Sequence, residues 1–301
     1  MFAELLQQGG LSFDRLQSFC LVAQAGGVTR AAKGDPAKQS LFSRQIKELE
    51  EFFGTELIRR KGRGIALTEA GTRLNVIARE CCAALSDFRS ACKKQPVEVV
   101  IGTGESVIQW LLLPCLDRIL EHLPNVRLKF LNLPTADAVK RLADGVIDFA
   151  LVRKEAVTRP LQAKSLGVMG YSLFIPATLQ PAGRKDGLRL LDGLPLATLE
   201  GEGSFRSELA QVAKKEGVKL NIQIECPSFP LAARVVAKGH TAAILPSIAT
   251  ADLPAAAVIQ VSVGFLKSFD REMCLASNAR LVRIRPILQQ AANVLAQICR
   301  F

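Results

Sequence analysis

Residues 28–50 read VTRAAKGDPAKQSLFSRQIKELE, and they contain two short helical patterns on either side of a break. The break is Gly34-Asp35-Pro36, and polar and basic residues open the second pattern. A short helix, a turn and a second helix of this composition are typical of a helix-turn-helix whose second helix enters a DNA groove. The stretch therefore predicts a DNA-binding domain near the N-terminus.

The second pattern places its apolar side chains on one stripe. Phe42, Ile46, Leu49 and Phe53 recur at steps of four, three and four residues, so we expect them to face inward. The outer faces then carry hydroxyl, amide and cationic groups that suit base edges and phosphates. The predicted contacts are Thr29, Arg30, Lys38, Gln39, Ser40, Ser43, Arg44 and Lys47. An ordinary amphipathic surface helix is the alternative interpretation.

Capping residues and glycines set the expected limits of the neighbouring elements. Asp14 is predicted to cap a first helix that Gly26-Gly27 ends, and Thr29 is predicted to cap the short second helix. Residues 59–64 read RRKGRG, and residues 65–67 can return as a strand. This predicts a winged hairpin that approaches phosphate or the minor groove, with a solvated basic loop as the alternative. The predicted contacts of the wing are Arg59, Arg60, Lys61 and Arg63.

A long helix is predicted after the wing, with Thr68 as its cap and Glu69 in its first turn. Its apolar residues recur at steps of 4, 3, 4, 3 and 4, which is a heptad pattern. These residues are Leu74, Ala78, Cys81, Leu85, Phe88 and Cys92. The pattern predicts a dimerisation helix that places two recognition helices on successive turns of DNA. Packing of the same stripe on the protein's own body is the alternative.

The composition limits the class of protein. The 301 residues suggest two or three domains, and 49% hydrophobic residues provide a sizeable core. The formal charge of +11 favours polyanionic partners, but residues 1–94 contain 15 Lys and Arg against 10 Asp and Glu, and residues 95–301 contain 24 against 18. Since the charge is not concentrated in one part, it is weak support for DNA binding by itself.

Cysteine usage predicts a reduced cytoplasmic protein. The eight cysteines form no C-x-x-C pair, and the only two histidines, His122 and His240, form no cluster with them. We therefore expect neither a zinc site nor a disulfide scaffold, and no metal or cofactor. Met1–Gly10 lacks the pattern of a secretory signal, and no run of about 18 apolar residues predicts a transmembrane helix.

Strand and helix patterns alternate after a polar hinge at residues 93–96, which predicts α/β units with parallel strands. Strands are expected at 97–102, 126–131 and 147–152, and helices at 111–123 and 136–142. A second unit is expected with strands at 172–175, 196–199, 222–225 and 242–245 and helices at 205–215 and 230–237. A strand at 272–276 and a helix at 285–298 return to the first unit. Two such lobes form a cleft, where ligands bind at the carboxyl ends of strands.

The chain resembles the LysR-type transcriptional regulators from about Leu11 to its C-terminus. The motifs that carry the resemblance are Thr29-Arg30-Ala31-Ala32, Ser43-Arg44-Gln45-Ile46, Leu49-Glu50, Leu57-Ile58-Arg59-Arg60 and Leu67-Thr68-Glu69-Ala70-Gly71. The chain departs from the family at Lys38, usually Ser, at Ser40, usually Pro, and at Gly34-Asp35, usually an apolar pair.

The resemblance implies an α/β chain with an all-α-type winged helix-turn-helix domain at 1–67 and a linker helix at 68–94. It also implies a periplasmic-binding-protein-like effector domain at 95–301, with lobe I at about 97–163 and 265–301 and lobe II at about 164–264. The positions that match the family's cleft are Thr103, Gly104, Glu105, Ser106, Thr135, Arg153, Ser204, Phe205, Ser228 and Phe229. A ligand there is implied to lie between the lobes, and Glu105 leaves open whether that ligand is an anion.

Three functions are compatible with the sequence. The first is a homodimeric or homotetrameric bacterial regulator that binds promoter DNA and responds to a small-molecule effector. The second is a small-molecule binding protein or enzyme on the two-lobed fold, with the N-terminal unit used only for dimerisation. The third is a thiol sensor, although Cys226 is the only cysteine between residues 116 and 273, where some family members have two. No nucleophile or phosphate-binding motif supports catalysis.

Overall fold

The computed structural model describes residues 9–62, 64–179, 187–201 and 203–301, and it also leaves the side chains of Ser204 and Ala251 undescribed. Arg63, a predicted wing contact, therefore lies outside the described residues, as does most of Met1–Gly10. Among the described residues, no helix combines the length and apolar character needed to cross a bilayer.

Three helices form the N-terminal domain: α1 at Phe13–Ala25, α2 at Val28–Ala31 and α3 at Pro36–Phe53. Ser12 caps the N-terminus of helix α1: its backbone is extended, and its hydroxyl accepts a hydrogen bond from the amide of Arg15 at 3.3 Å. The prediction that Asp14 caps this helix was wrong, since Asp14 lies inside the first turn, where the helix dipole favours an anion. The prediction that Thr29 caps α2 was also wrong, because Gly27 precedes that helix.

Asp35 caps the N-terminus of helix α3, and its carboxylate accepts hydrogen bonds from the amides of Ala37 at 3.0 Å and Lys38 at 3.2 Å. Pro36 occupies the first helical position, where no amide donor is needed. The inward stripe is confirmed at Phe42, Ile46 and Leu49, which are buried. It was wrong at Phe53, which is 39% exposed because it is the last residue of the helix, beyond the core that α1 covers.

The predicted winged hairpin is confirmed. Strands β1 at Ile58–Lys61 and β2 at Gly64–Leu67 pair antiparallel. The wing is fixed at both of its sides: Glu50 Oε1 in α3 accepts from the amide of Leu57 at 2.8 Å, and the amide of Ile65 donates to Gly26 O at 3.1 Å. A Cβ at residue 64 would lie 2.7 Å from that same carbonyl, so this close approach requires glycine.

Helix α4 at Glu69–Cys92 begins at Thr68, as predicted, and the Thr68 hydroxyl accepts from the amide of Gly71 at 3.0 Å. The heptad stripe of this helix divides into two parts. Leu74 packs against the N-terminal core and Ala78 is fully buried, whereas the later members are exposed. The exposed members are Cys81, Leu85, Phe88 and Cys92. The N-terminal part of the stripe thus packs on the protein's own body.

The first lobe contains five strands: β3 at Val97–Thr103, β4 at Val126–Asn132, β5 at Phe149–Arg153, β6 at Leu161–Met169 and β12 at Arg271–Asn278. They form one sheet in the order β4-β3-β5-β12-β6. Strand β3 is parallel to β4 and β5, as predicted, and β12 is antiparallel to β5 and β6. Its helices are α5 at Leu116–His122, α6 at Thr135–Ala143, α9 at Ala279–Ile284 and α10 at Pro286–Ile298.

The prediction of one helix over 111–123 was wrong. A helical turn at Glu105–Val107 continues as a π-helix at Ile108–Leu112, and α5 begins only at Leu116. Pro114 lies between them, and its missing amide hydrogen prevents a continuous helix.

The second lobe contains strands β7 at Tyr171–Pro176, β8 at Pro195–Leu199, β9 at Asn221–Cys226, β10 at Ala243–Pro246 and β11 at Val258–Val261. Its helices are α7 at Ser204–Lys215 and α8 at Phe229–Ala237. Strand β7 pairs antiparallel with β10 and β11, β8 is parallel to β9, and a bridge between Leu196 and Ala242 joins the two sets. The strands β6 and β11 were not expected from the sequence.

The chain passes between the lobes at two adjacent points. Gly170 separates β6 of the first sheet from β7 of the second, and Asp270 precedes β12 on the return. A Cβ at residue 170 would lie 3.4 Å from Asp270 Oδ1, so the two connections run side by side. The expected lobe boundary at residue 164 falls inside β6.

A buried ion cluster joins the linker helix α4 to the first lobe. Arg285, between α9 and α10, donates to both carboxylate oxygens of Asp87 at 2.7 and 3.1 Å and to Glu98 O at 3.1 Å. Its remaining guanidinium nitrogen donates to Asp148, which also accepts from the amide of Val100 at 2.7 Å. One guanidinium therefore connects α4, β3 and the segment before β5.

Candidate functional site

The outer face of α3 carries the predicted DNA contacts. Lys38, Ser40, Ser43, Arg44 and Lys47 are exposed, and Gln39 is half-buried. Ser40, Arg44 and Lys47 lie on the side of the helix opposite the buried stripe, Gln39 and Ser43 lie at its flanks, and Lys38, four residues before Phe42, lies above the stripe in the first turn.

The cations on this face have loose partners within the chain. Arg44 lies 3.7 Å from Glu48, Lys47 lies 3.8 Å from Glu51, and Lys38 lies 3.6 Å from the capping Asp35. Exposed pairs of this kind contribute about 0–1 kcal/mol, so a phosphate can replace the carboxylate at little cost.

The wing and the short helix α2 carry further cationic side chains. Arg59, Arg60 and Lys61 are exposed on β1. Arg30 is exposed as well, but its guanidinium donates to Gly26 O at 2.5 Å and lies against the start of β2. Thr29 donates to the amide oxygen of Gln39 at 3.5 Å, which links α2 to α3. Arg30 therefore also has a structural role at the base of the wing.

A cavity of about 250 Å³ lies between the lobes at the carboxyl ends of β3 and β5. The predicted residues that line it are Thr103, Gly104, Ser106, Thr135, Arg153, Phe205 and Phe229. Glu105 is exposed and does not line it. Ser228 does not line it either, because its hydroxyl accepts from the amide of Leu231 at 3.4 Å and caps α8. The side chain of Ser204 is outside the described part of the chain.

The sequence did not identify several lining residues. These are Val107, Leu151, Val152, Met169, Tyr171, Leu199, Gly203, Arg271 and Met273. Tyr171 and Arg271 directly follow the two inter-lobe connections at Gly170 and Asp270. Of these residues, only Tyr171 stands out in the sequence, because it is the single tyrosine of the chain.

Three aromatic rings form one wall of the cavity. Tyr171 stacks on Phe205 with ring centroids 5.0 Å apart, and Phe229 meets Phe205 edge to face at 5.4 Å. Burial raises the pKa of Tyr171 to about 12, so its phenol stays protonated at neutral pH. Thr103 donates its hydroxyl proton to Leu151 O at 2.6 Å, which commits that donor to holding β3 against β5.

Two guanidinium groups are close enough to Tyr171 to affect its titration. Both Arg153 and Arg271 lower the pKa of the phenol, against the larger effect of burial. Arg271 also contacts Glu208 of the second lobe at 2.5 Å, and so connects the lobes. The lobes are joined again where the indole of Trp110, from the first lobe, donates to Asp252 at 2.8 Å and packs into the second lobe's core.

Thiol and imidazole chemistry receive little support. Burial raises the pKa of the Cys226 thiol. It raises the pKa of Cys20 and Cys274 to about 11 and that of Cys299 to about 12, so these thiols are weak nucleophiles. His122 and His240 are exposed and do not line the cavity. Within the described ranges, no group of three or more His, Cys, Asp or Glu side chains is placed to hold a metal ion.

Comparison with known proteins defines the class to which this architecture belongs. Residues 13–72 match the family described as "Bacterial regulatory helix-turn-helix protein, lysR family", and residues 96–297 match the "LysR substrate binding domain". The chain belongs to the LysR family of transcription regulators.

Individual relatives agree over most of the chain. A probable nitrogen assimilation transcriptional activator of Synechococcus elongatus is 27% identical over 258 residues, which is 80% of this chain and 81% of the relative. A full-length OxyR variant from Pseudomonas aeruginosa is similar with a TM-score of 0.67 and 18% identity, over 96% of this chain and 98% of that one. LysG of Corynebacterium glutamicum, solved with bound effector Arg, is similar with a TM-score of 0.60 and 17% identity, over 94% of this chain and 99% of that one. The family matches and the Synechococcus relative favour the regulator hypothesis over the enzyme alternative, and the two solved structures show that the fold is shared.

Proposed function

We propose that this protein binds double-stranded promoter DNA through α3 and the wing, and that a small molecule in the cleft between the lobes modulates that binding or the activation that follows. With this function we propose the domain division expected from the sequence, a DNA-binding unit at 1–67, the linker helix at 68–94 and the effector domain at 95–301. Because we propose promoter DNA of a bacterium as its target, we also propose that it acts in the cytoplasm.

The observation that carries the proposal is the two-sided character of α3. Its buried stripe fixes the helix to the domain, and the opposite face offers exposed Ser43, Arg44 and Lys47 without a strong intrachain partner. These side chains accompany the basic hairpin of the wing, and together they offer donors to phosphate oxygens and base edges.

We further propose that α4 joins two copies of the chain through its exposed C-terminal part. Cys81, Leu85, Phe88 and Cys92 form this surface, together with Ile77, which was not in the predicted set and is also exposed. Leu74 and Ala78 pack within the same chain, so they do not belong to this dimerisation surface. A groove of about 800 Å³ beside Phe88 continues the surface onto Val97 and Ile287 of the first lobe. Tetramers formed from such dimers are compatible with this surface.

DNA binding is tested by mobility shift and footprinting with duplexes from the region flanking the protein's own gene. The Arg44→Ala variant should bind about 5–150-fold more weakly, which corresponds to a contact of about 1–3 kcal/mol. Binding should fall steeply as salt rises, because phosphate contacts release counterions. Lys215→Ala, at the exposed end of α7, is the matched control and should bind like the wild type. Equal affinity of Arg44→Ala and the control would refute the role of α3.

A further inference from the structure

The cavity between the lobes has a one-sided charge. Among the described residues that line it, Arg153 and Arg271 are cationic and none is acidic. The carboxylate of Glu105, which could have repelled an anion, is exposed outside the lining. Because Arg271 is paired with Glu208, the charge available to a ligand is chiefly that of Arg153, and it favours a negatively charged group.

The two arginines differ in how many of their N–H donors already have partners within the chain. Arg271 is 15% exposed and already donates to Glu208, to Ser268 O at 3.3 Å and to Asp270 O at 3.2 Å. Arg153 is 33% exposed, and the closest carboxylate, on the exposed Glu155, lies 3.6 Å away, beyond a normal hydrogen bond. A guanidinium has five N–H donors, so Arg153 retains the fork that a carboxylate accepts in bidentate geometry.

The rest of the lining selects the body of the ligand. The clustered rings of Tyr171, Phe205 and Phe229 form an apolar wall, and Met169 and Met273 are buried beside it. A fully hydrated small anion cannot use such a wall, whereas a flat or branched hydrocarbon group loses contact with water against it. At about 250 Å³ the cavity is smaller than the roughly 300–1,000 Å³ of most ligand pockets, so the occupant is compact.

We propose that the effector is a compact monocarboxylate with an aromatic or branched aliphatic body, whose carboxylate pairs with Arg153 and whose body lies against Tyr171, Phe205 and Phe229. This inference rests on the proposed role of the cleft and specifies its ligand. Arg271 acts as a positioning residue, because its contact with Glu208 sets the distance between the lobes that the ligand must bridge.

The test is calorimetric titration of the full-length protein with three carboxylates: benzoate, phenylacetate and 4-methylpentanoate. Each is compared with its primary amide, which has the same shape without the charge, and acetate provides the charge without the body. At least one carboxylate should bind about tenfold or more tightly than its amide, and acetate should bind more weakly than that carboxylate. Comparable binding of the amides or of acetate, or no carboxylate with a Kd below about 1 mM, would overturn the proposal.

Two neighbouring cations provide matched variants. Arg153→Gln should weaken carboxylate binding about tenfold or more, whereas Lys154→Gln removes the same charge from an exposed site paired with Glu272 and should leave it unchanged. Equal losses in both variants would show a general field rather than a contact and would refute the assignment of Arg153.

Duplex binding by the same wild-type preparation separates this inference from the proposed function. DNA binding without a carboxylate preference refutes only the ligand class. Carboxylate binding without DNA binding refutes the regulator role and leaves the ligand class standing.

Discussion

Replacement of Arg285 by methionine tests the buried cluster that joins the linker helix to the first lobe. The Arg285 and Asp148 side chains are only 7% and 8% exposed, and the guanidinium serves Asp87, Asp148 and Glu98 O at once. Methionine keeps most of the apolar stem but leaves Asp148 as an unpaired buried charge. Such a loss costs about 3–5 kcal/mol, a large part of the roughly 5–15 kcal/mol that stabilises a folded domain.

The loss should depend on pH. Burial raises the pKa of Asp148 above 3.8, and Arg285 is the largest influence that opposes this, so the variant's folded-state pKa should be higher still. The folded variant then holds a proton that the unfolded chain has released, and its stability must fall as pH rises from about 3.8 through the raised pKa. The loss relative to the wild type should therefore be smaller at about pH 5.5 than at about pH 7.5.

Urea unfolding at the two pH values measures these differences. The double variant Arg285→Met/Asp148→Asn should regain part of the stability, because the amide oxygen can still accept from Val100 and carries no charge. Arg283→Met, at an exposed neighbouring position, is the control and should change stability by less than about 0.5 kcal/mol. A loss below about 1 kcal/mol in Arg285→Met, or an equal loss at both pH values, would refute the reasoning.

Three further substitutions give expected outcomes. Gly71→Ala should destabilise the N-terminal domain by about 2 kcal/mol or more in thermal unfolding, because its Cβ would lie 1.9 Å from Leu57 O; wild-type stability would contradict this close approach. Phe88→Lys, at a side chain 69% exposed in the isolated chain, should shift the sedimentation of the protein towards the monomer, and an unchanged oligomer would exclude this surface. Asp252→Ala removes the acceptor of the Trp110 indole N–H, so the emission of Trp110, the chain's only tryptophan, should move to longer wavelength as the lobes separate, and an unchanged spectrum would show that this contact does not hold them.

Local signals in the sequence identified the helices and the wing of the N-terminal domain, although the caps at Asp14 and Thr29 and the inward position of Phe53 were wrong. The stripe at Phe42, Ile46 and Leu49 and the cap at Thr68 depend on residues within one or two helical turns, so spacing alone identifies them. The stripe on α4 shows the limit of such reasoning. A heptad period fits burial in the chain's own core, as at Ala78, equally well as burial by a second copy.

The missed parts of the fold and cleft depend on long-range pairing. Strand β6 lies at the edge of its sheet and exposes residues 162–165 in succession, so it lacks the alternation that predicts a strand. Arg271 enters the cleft only because β12 returns to the first sheet after the whole second lobe. No local pattern distinguishes such an arginine from the exposed ones.

The side-by-side connections at Gly170 and Asp270 have a mechanical consequence. Tyr171 and Arg271, the residues directly after them, both line the cavity, so an occupant touches the axis about which the lobes can rotate. A small shift of side chains next to this axis corresponds to a rotation of one lobe against the other, and the movement that a rotation produces grows in proportion to the distance from the axis. A molecule of a few atoms can therefore turn one lobe against the other, a movement that the contact between Trp110 and Asp252 resists.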